Sequence, residues 1–542
     1  MRKTFRILIS RYTVSALFIL TEIVLVSYLA SYAYAYSFLF VLFASAVNLL
    51  VILSLINKDT NPEFKLTWLV VVVLVPLLGG ALYIMFYSRR LSRGESKHLK
   101  KIENDIKECE GSAESVSRSL CVLGELSRKS EAGAGVALAI TKDDSMAQIY
   151  RGCKTDYYDS GESFFAAMLE ALRGAEKYIF LEYFIVSEGE MWKNIHQVLI
   201  EKVRSGVEVR MLYDDIGSMG TVCADFDKRL RKEGIACYRF AKIKPKFSAL
   251  YNNRDHRKIC VVDGRIAFTG GVNISDEYIN KKERFGHWKD GGVRTVGSAA
   301  EGFARLFLIM FDFTSGKQSN YGKYFDNAGE SKISNDGEQD GKAEDKSLCE
   351  GSVPNDISDN GYVIPFGSGP QPIYSESVGK NALMNVINAS KRYLYITTPY
   401  LIIDYDLTRA LRCASKRGVD VRIITPAVAD KKIVKIMTKS SYPYLIDAGV
   451  RIFEYTPGFI HEKLMVSDDS VAIIGTINFD YRSLVHHFED GLWIFKDRAV
   501  IDIRDSFMKT ESVSLEILPE DAKLGFYERI IRTLIRIFAP LL

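Results

Sequence analysis

Paired-cysteine spacing is missing from this chain. Its eight cysteines, Cys109, Cys121, Cys153, Cys223, Cys237, Cys260, Cys349 and Cys413, are scattered through 542 residues. That excludes a disulfide framework and suits a reducing compartment. Charge of one sign is scarce as well: 71 Lys and Arg against 67 Asp and Glu leave a net charge of +4. So close a balance excludes a polycation that coats nucleic acid, and no nucleic-acid partner is expected. Neither an H-E-x-x-H stretch nor a clustered Cys/His spacing occurs. No metal is therefore expected, and no cofactor.

Long apolar runs are present, all near the start: Tyr12–Ala33, Tyr36–Ile56 and Trp68–Tyr87. Each approaches or exceeds the roughly 20 residues of a spanning helix. The first is too long for a simple signal peptide, and a second run follows at once. Residues 1–92 are thus expected to form a membrane region of two to three hydrophobic helices. Arg2, Lys3, Arg6 and Arg11 precede the first run, and Arg89, Arg90, Arg93, Lys97, Lys100 and Lys101 follow the third. Both ends therefore favour the cytoplasm, which three full spans cannot satisfy. Pro76 and Gly79-Gly80 break the third run, so it either re-enters or one of the first two does not span. The second basic cluster, the stronger signal, places the remainder of the chain on the cytoplasmic face, where it also attracts anionic lipid.

The central feature is a pattern written twice. His256, Lys258, Asp263, Gly270, Gly271 and Asn273 are followed by His461, Lys463, Asp468, Gly475, Thr476 and Asn478, with Lys at +2, Asp at +7, Gly at +14 and Asn at +17 in both. Residues two apart in a strand share a face, so each His projects with its Lys. Asp263-Gly264 signals a hairpin turn, with Ile266–Thr269 as the returning strand. One copy supplies an imidazole, an ammonium and an amide. Two copies meeting face to face supply two of each around one cavity. Ammonium and amide donors suit phosphate oxygens, and paired imidazoles suit nucleophilic attack followed by proton transfer. A single His in a strand is most often a hydrogen-bonded core residue. Repetition with matched offsets argues against that here, and points to a phosphodiester site. Asp263 and Asp468 fall at turns, which assigns them mainly to loop structure and only secondarily to the site.

The paired motif resembles the HxKxxxxD signature of the phospholipase D superfamily in its two-copy form. Ile179–Val186, Gly206–Ser218, Thr397–Ile402 and Gly475–Ser483 narrow the resemblance to bacterial cardiolipin synthases, from about Leu66 onward. It implies a two-lobed α/β fold, each lobe a central sheet flanked by helices, with the site between the lobes. The sequence itself repeats accordingly: Tyr178–Tyr183 matches Tyr393–Thr398, and Gly206–Arg210 matches Gly418–Arg422, at offsets of 215 and 212. The expected organisation is 1–92 membrane region, 93–145 polar connector, 146–314 first lobe, 315–361 flexible insert, 362–515 second lobe and 516–542 amphipathic helix. In that last helix Phe526, Ile530, Ile531, Leu534, Ile535 and Phe538 share a face opposite Arg529, Arg532 and Arg536.

The resemblance also implies a chemistry. His256 attacks the phosphorus of one phosphatidylglycerol, and His461 protonates the leaving glycerol and then activates a hydroxyl of a second. The first-lobe histidine is the nucleophile by resemblance alone, since the motifs do not distinguish the two. Lys258, Lys463, Asn273 and Asn478 hold the phosphoryl oxygens, and Asp290 and Glu489 are the acids that fix the imidazoles. The expected setting is the bacterial plasma membrane, with phosphatidylglycerol and anionic lipid as partners. A phospholipase D or other phosphatidyltransferase differs only in its acceptor. A nuclease of the superfamily fits the anchor less well, and a non-enzymatic scaffold would not need both His and both Lys.

Overall fold

A computed structural model describes residues 20–25, 27–28, 37–58, 61–75, 78–86, 93–242, 253–325, 361–370, 373–374 and 376–522, with 533, 535, 537 and 539 beyond. The first basic cluster, most of the first apolar run, most of the insert and most of the apolar face of the C-terminal helix lie outside the described residues. The chain divides into two units, one of residues 1–88 and one that begins at Arg89.

The first unit contains helices α1 (Ser37–Ile56), α2 (Pro62–Leu74) and α3 (Leu78–Phe86). Val51, Leu55, Trp68, Val72 and Tyr83 make its small core. The third apolar run holds two helices, of 13 and 9 residues; the glycine pair lies inside the second, and Pro76 lies outside the described residues. A Cβ at Gly79 would overlap the Val71 backbone, so glycine there lets α3 lie directly against α2. Among the described residues no helix is long and apolar enough to cross a membrane. The expectation of several spanning helices is not met within them.

The second unit opens with three helices, α4 (Arg93–Lys107), α5 (Glu110–Lys129) and α6 (Glu131–Asp143), whose Leu99, Ile102, Ile106, Leu126 and Ala137 enter the main core. There follow β1 (Tyr150–Arg151), β2 (Lys154–Tyr158), α7 (Gly161–Arg173), β3 (Tyr178–Tyr183), α8 (Glu190–Arg204), β4 (Glu208–Asp214), α9 (Phe226–Lys232) and β5 (Ala236–Phe240). The first motif hairpin is β6 (Lys258–Val262) and β7 (Ile266–Gly270), then come β8 (His287–Lys289), β9 (Gly292–Val296), α10 (Ala299–Ser315) and α11 (Gly322–Phe325). The later half runs β10 (Tyr362–Ser368), α12 (Val378–Ala389), β11 (Tyr393–Thr397), β12 (Leu401–Ile402), α13 (Tyr405–Lys416), β13 (Asp420–Pro426), α14 (Lys432–Ile446), β14 (Arg451–Tyr455) and β15 (Gly458–Ile460). It closes with β16 (Leu464–Ser467), β17 (Val471–Gly475), β18 (Phe479–Asp480), β19 (Glu489–Phe495), α15 (Arg498–Ser512) and β20 (Ser514–Glu516).

Two mixed sheets result. The first has the order β2-β9-β7-β6-β3-β4-β5, and the second β1-β10-β19-β17-β16-β11-β13-β14-β20. Without its edge strands β1 and β20, the second repeats the first strand for strand. In each, three parallel strands joined by helices adjoin an antiparallel set that contains the motif hairpin. This is the expected pair of α/β lobes. α10, buried from Ala299 to Asp312, packs against strands of both sheets and joins them into one core. The hairpin turns read as expected. Asp263 and Gly264 both have positive φ, as do Asp468 and Asp469, the two central residues of the turn within each three-residue hairpin loop.

Candidate active site

β3 and β11 end beside the motif lysines: Tyr183 pairs with Lys258, and Thr397 with Leu464 next to Lys463. The histidines lie just before the hairpins. The regular strands begin at Lys258 and Leu464, which corrects the expectation of one strand holding both His and Lys. Each His segment is instead tied to the other lobe. The His256 N–H donates to the Phe488 carbonyl at 2.8 Å, and the His461 N–H to the Lys289 carbonyl at 2.8 Å. β15 and β8, from different lobes, pair in parallel immediately before His461 and Asp290.

The side chains cross over in the same way. His256 Nδ1 lies 2.9 Å from Glu489 Oε2, and His461 Nδ1 lies 2.7 Å from Asp290 Oδ2. All four are buried. Each imidazole thus meets a carboxylate of the opposite lobe. Gly271 has its purpose here, since a Cβ would overlap the Asp290 carboxylate. The Lys258 ammonium donates to the His256 carbonyl at 2.7 Å, and Lys463 to the His461 carbonyl. Asn273 is partly committed: its Oδ1 accepts from Ile185 N–H at 3.0 Å and its amide donates to Tyr278 Oη at 2.7 Å. The Asn478 Oδ1 is buried without a hydrogen-bond partner.

Asp263 and Asp468 are elsewhere. Asp263 accepts from the N–H groups of Glu176, Lys177 and Tyr178 at 2.7–2.8 Å, and Asp468 from those of Lys391, Arg392 and Tyr393 at 2.8–3.0 Å. Each sits at the far end of a strand of 4 or 5 residues, some 15 Å from its lysine at about 3.3 Å per residue. Their secondary assignment to the site is corrected. They fix where β3 and β11 begin, and reach no imidazole.

The two halves of the site are alike in frame and different in chemistry. Where the first motif has Gly271, the second has Thr476, whose hydroxyl donates to Glu489 Oε2 at 2.5 Å. Ser483 donates to Glu489 Oε1 at 2.7 Å. Among the described residues Asp290 receives just the Gly291 N–H, at 2.9 Å, beside its histidine. Two residues before each acid stands a ring: His487 with its centroid 5.6 Å from His256, and Trp288 with its centroid 5.6 Å from His461.

The electrostatics follow. Burial pushes His256 down to about 3, so its imidazole is neutral. Burial alone would raise Glu489, but His256 and His487 hold it below the usual carboxylate range. A neutral ring that donates Nδ1–H to a carboxylate leaves the Nε2 lone pair free. Burial, then Lys463 and Lys258, lower His461 well below its ordinary value. Asp290, with fewer donors, is pushed up by burial to about 6. Burial also brings Lys258 down to about 8 and Lys463 to about 7. Lys258 and Lys463 both act on His461, and Lys258 on Lys463, so two cationic groups and two imidazoles stand close enough together to receive an oxyanion.

The sequence profile described as "Cardiolipin synthase, PLD-like domain" matches residues 168–285 and 383–510, once in each lobe. A second, "Phospholipase_D-nuclease N-terminal", matches 46–86. A Streptococcus mutans protein described as uncharacterized is 37% identical over 91% of this chain and 99% of its own. A cardiolipin synthase of Halalkalibacterium halodurans is 30% identical over 90% of each chain. The chain belongs to the cardiolipin synthase family. It is a phosphatidyltransferase of the phospholipase D superfamily. In fold it is similar to the crystal structure of phosphatidylserine synthase from Haemophilus influenzae, with a TM-score of 0.52 at 16% identity over 72% of this chain and 93% of that one.

Within this family member, three residues of the site escaped sequence reasoning: the Thr476 hydroxyl, Ser483 and His487. The one departure between the motif copies, Gly271 against Thr476, was the available signal for the first. The His486-His487 pair just before Glu489 was the signal for the third. The ring nitrogens of His256 and His487 and the Glu489 carboxylate lie within 4.8 Å of one another, a spacing a metal ion could use. Glu489, however, already accepts from His256, Thr476 and Ser483, which leaves little of its oxygen lone-pair capacity for an ion.

Proposed function

We propose that this enzyme transfers the phosphatidyl group of one phosphatidylglycerol to the headgroup hydroxyl of another, giving cardiolipin and glycerol. The observation that carries the reading is the crossed pair of imidazole–carboxylate contacts with both lysines beside them. His256, neutral and oriented by Glu489, attacks the phosphorus through Nε2 and forms a phosphatidyl-histidine as the bond to glycerol breaks. The departing oxygen takes a proton from His461. Neutral His461 then removes a proton from the second lipid's hydroxyl, which attacks the intermediate, completes cardiolipin and frees His256.

His461 must be protonated when the first step begins, although the two ammoniums push it toward neutrality. A phosphodiester lying between Lys258 and Lys463 offsets their repulsion, so binding of the substrate favours the proton His461 has to donate. Lys258, Lys463 and the free Asn273 amide hydrogen hold the phosphoryl oxygens as charge develops. One phosphodiester replaces another, so no external energy source is required.

In this reading the lobes run 146–314 and 362–515, and the first unit serves as the membrane region at the plasma membrane. Val41, Leu42, Phe43, Leu50, Leu53 and Ile56 of α1 are all exposed, an apolar surface that suits lipid better than water. The test is the purified full-length enzyme in detergent with phosphatidylglycerol labelled in both the glycerol headgroup and the phosphate. Labelled cardiolipin with free glycerol is the expected result. Phosphatidic acid would instead make water the acceptor, and no turnover would remove the catalytic reading altogether.

A further inference from the structure

β4 and β13 hold the same place in their two sheets. Both end on the side of the histidines, since Tyr213 neighbours Tyr183 and Ile424 neighbours Thr397 at the ends that meet the motif lysines. The loop after β4 presents Met219, 64% exposed. The loop after β13 and the first five residues of α14 present Val428, Ile433 and Ile436, exposed by 40%, 45% and 43%. Single exposed apolar residues are ordinary. Here they recur in equivalent loops of two lobes that share one site.

Both loops also reach that site. A Cβ on Gly217, two residues before Met219, would overlap Phe184, and the Phe184 ring stands edge-on to His256 with centroids 4.9 Å apart. In the other lobe, Asp430 accepts from Tyr400 Oη at 2.8 Å, and the Leu401 N–H donates to Thr438 of α14 at 3.3 Å. Leu401 pairs with Phe479, the residue after Asn478. Between Val428 and Ile433 stand Lys431 and Lys432, both exposed. Apolar side chains flanked by ammoniums match the boundary of an anionic bilayer, where the first enter the acyl region and the second meet the headgroups.

We propose that these two loops are the surface by which the catalytic body docks onto an anionic lipid bilayer, so that a phospholipid enters the cleft directly from the membrane. The proposal rests on the reading of the substrate as a membrane phospholipid. It names a role for residues that take no part in the chemistry.

Full-length enzyme in phosphatidylglycerol vesicles tests it in two ways. Ile433→Trp adds a fluorophore to the four native tryptophans. Against wild type, its extra emission should be blue-shifted and quenched by phosphatidylglycerol brominated on the acyl chains. Val428→Ser/Ile433→Ser/Ile436→Ser should slow turnover of bilayer phosphatidylglycerol by about tenfold, and turnover of a short-chain, monomeric phosphatidylglycerol by less than about twofold. Water-like, unquenched emission from Ile433→Trp with phosphatidylglycerol still consumed would overturn the docking surface and leave the substrate reading standing. Quenching without consumption of any phospholipid would keep the surface and remove that substrate. Equal loss on both substrates by the triple variant would reduce these residues to a structural role.

Discussion

His256 and Glu489 come from different lobes and meet at 2.9 Å, so the proposed nucleophile is oriented only when both lobes are in place. Glu489→Gln keeps the shape and removes the charge that fixes the Nδ1–H tautomer. The expected outcome is a fall in kcat on the order of 10²-fold or more, with little change in KM. Steady-state kinetics on phosphatidylglycerol would check it, and a loss confined to KM would contradict the orienting role.

Thr476 tunes that carboxylate. Thr476→Val removes one donor to a charged acceptor, a change of about 1.5–3 kcal/mol, while Thr476→Ser keeps it. A carboxylate held low works above its pKa, so losing a donor raises that pKa and moves the acid limb of kcat/KM to higher pH. The valine variant should be slower by about tenfold with its acid limb shifted upward, and the serine variant should match wild type. An unchanged profile in the valine variant would show that the hydroxyl is only packing.

Asp263 and Asp468 separate stability from chemistry. Asp263→Ala leaves three backbone N–H groups without their acceptor, which should cost on the order of 2 kcal/mol of stability. Thermal denaturation should show a lower Tm, with kcat per folded molecule within about twofold of wild type. Asp468→Ala should behave alike. A large loss of kcat at unchanged Tm would return these residues to the site.

Rising pH should weaken the free enzyme's capture of substrate. Lys463 is brought down to about 7 and Lys258 to about 8. Both are charged below those values and neutral above them, so the oxyanion receptor loses its charge as pH climbs through them. kcat/KM should fall on that alkaline limb while kcat, which reports the complex, falls later. A flat kcat/KM up to pH values near the ordinary lysine pKa of about 10.4 would show that the ammoniums are not depressed.

Much of this arrangement was legible in the sequence because it is written twice. The hairpins, the Asp-Gly turn and the alternation of strands with helices follow from local pattern, and the two acids after the motifs from the family resemblance. What could not be read is the crossing of lobes: nothing local to His256 says that its carboxylate is Glu489 rather than Asp290. That contact depends on Asp255 bridging to Phe488 across the lobes, as the Asp290–His461 contact depends on β8 pairing with β15, and both are long-range facts. The difference between the two histidines was hidden for a related reason. It lies in Thr476, Ser483 and His487, side chains that acquire meaning only once Glu489 is known to face His256. Hydropathy likewise marked apolar runs near the start, but the third holds two helices, of 13 and 9 residues, Pro62–Leu74 and Leu78–Phe86.

The central claim is one site with divided labour, in which His256 forms the covalent bond. Removing His461 leaves the attack in place but takes away the proton donor and the activator of the second alcohol, so turnover should fall on the order of 10³-fold or more. His461→Ala incubated with phosphatidylglycerol, quenched and mapped by mass spectrometry, should then carry a phosphatidyl group on His256. An adduct on His461 in His256→Ala, with none on His256 in His461→Ala, would reverse the roles and contradict the account.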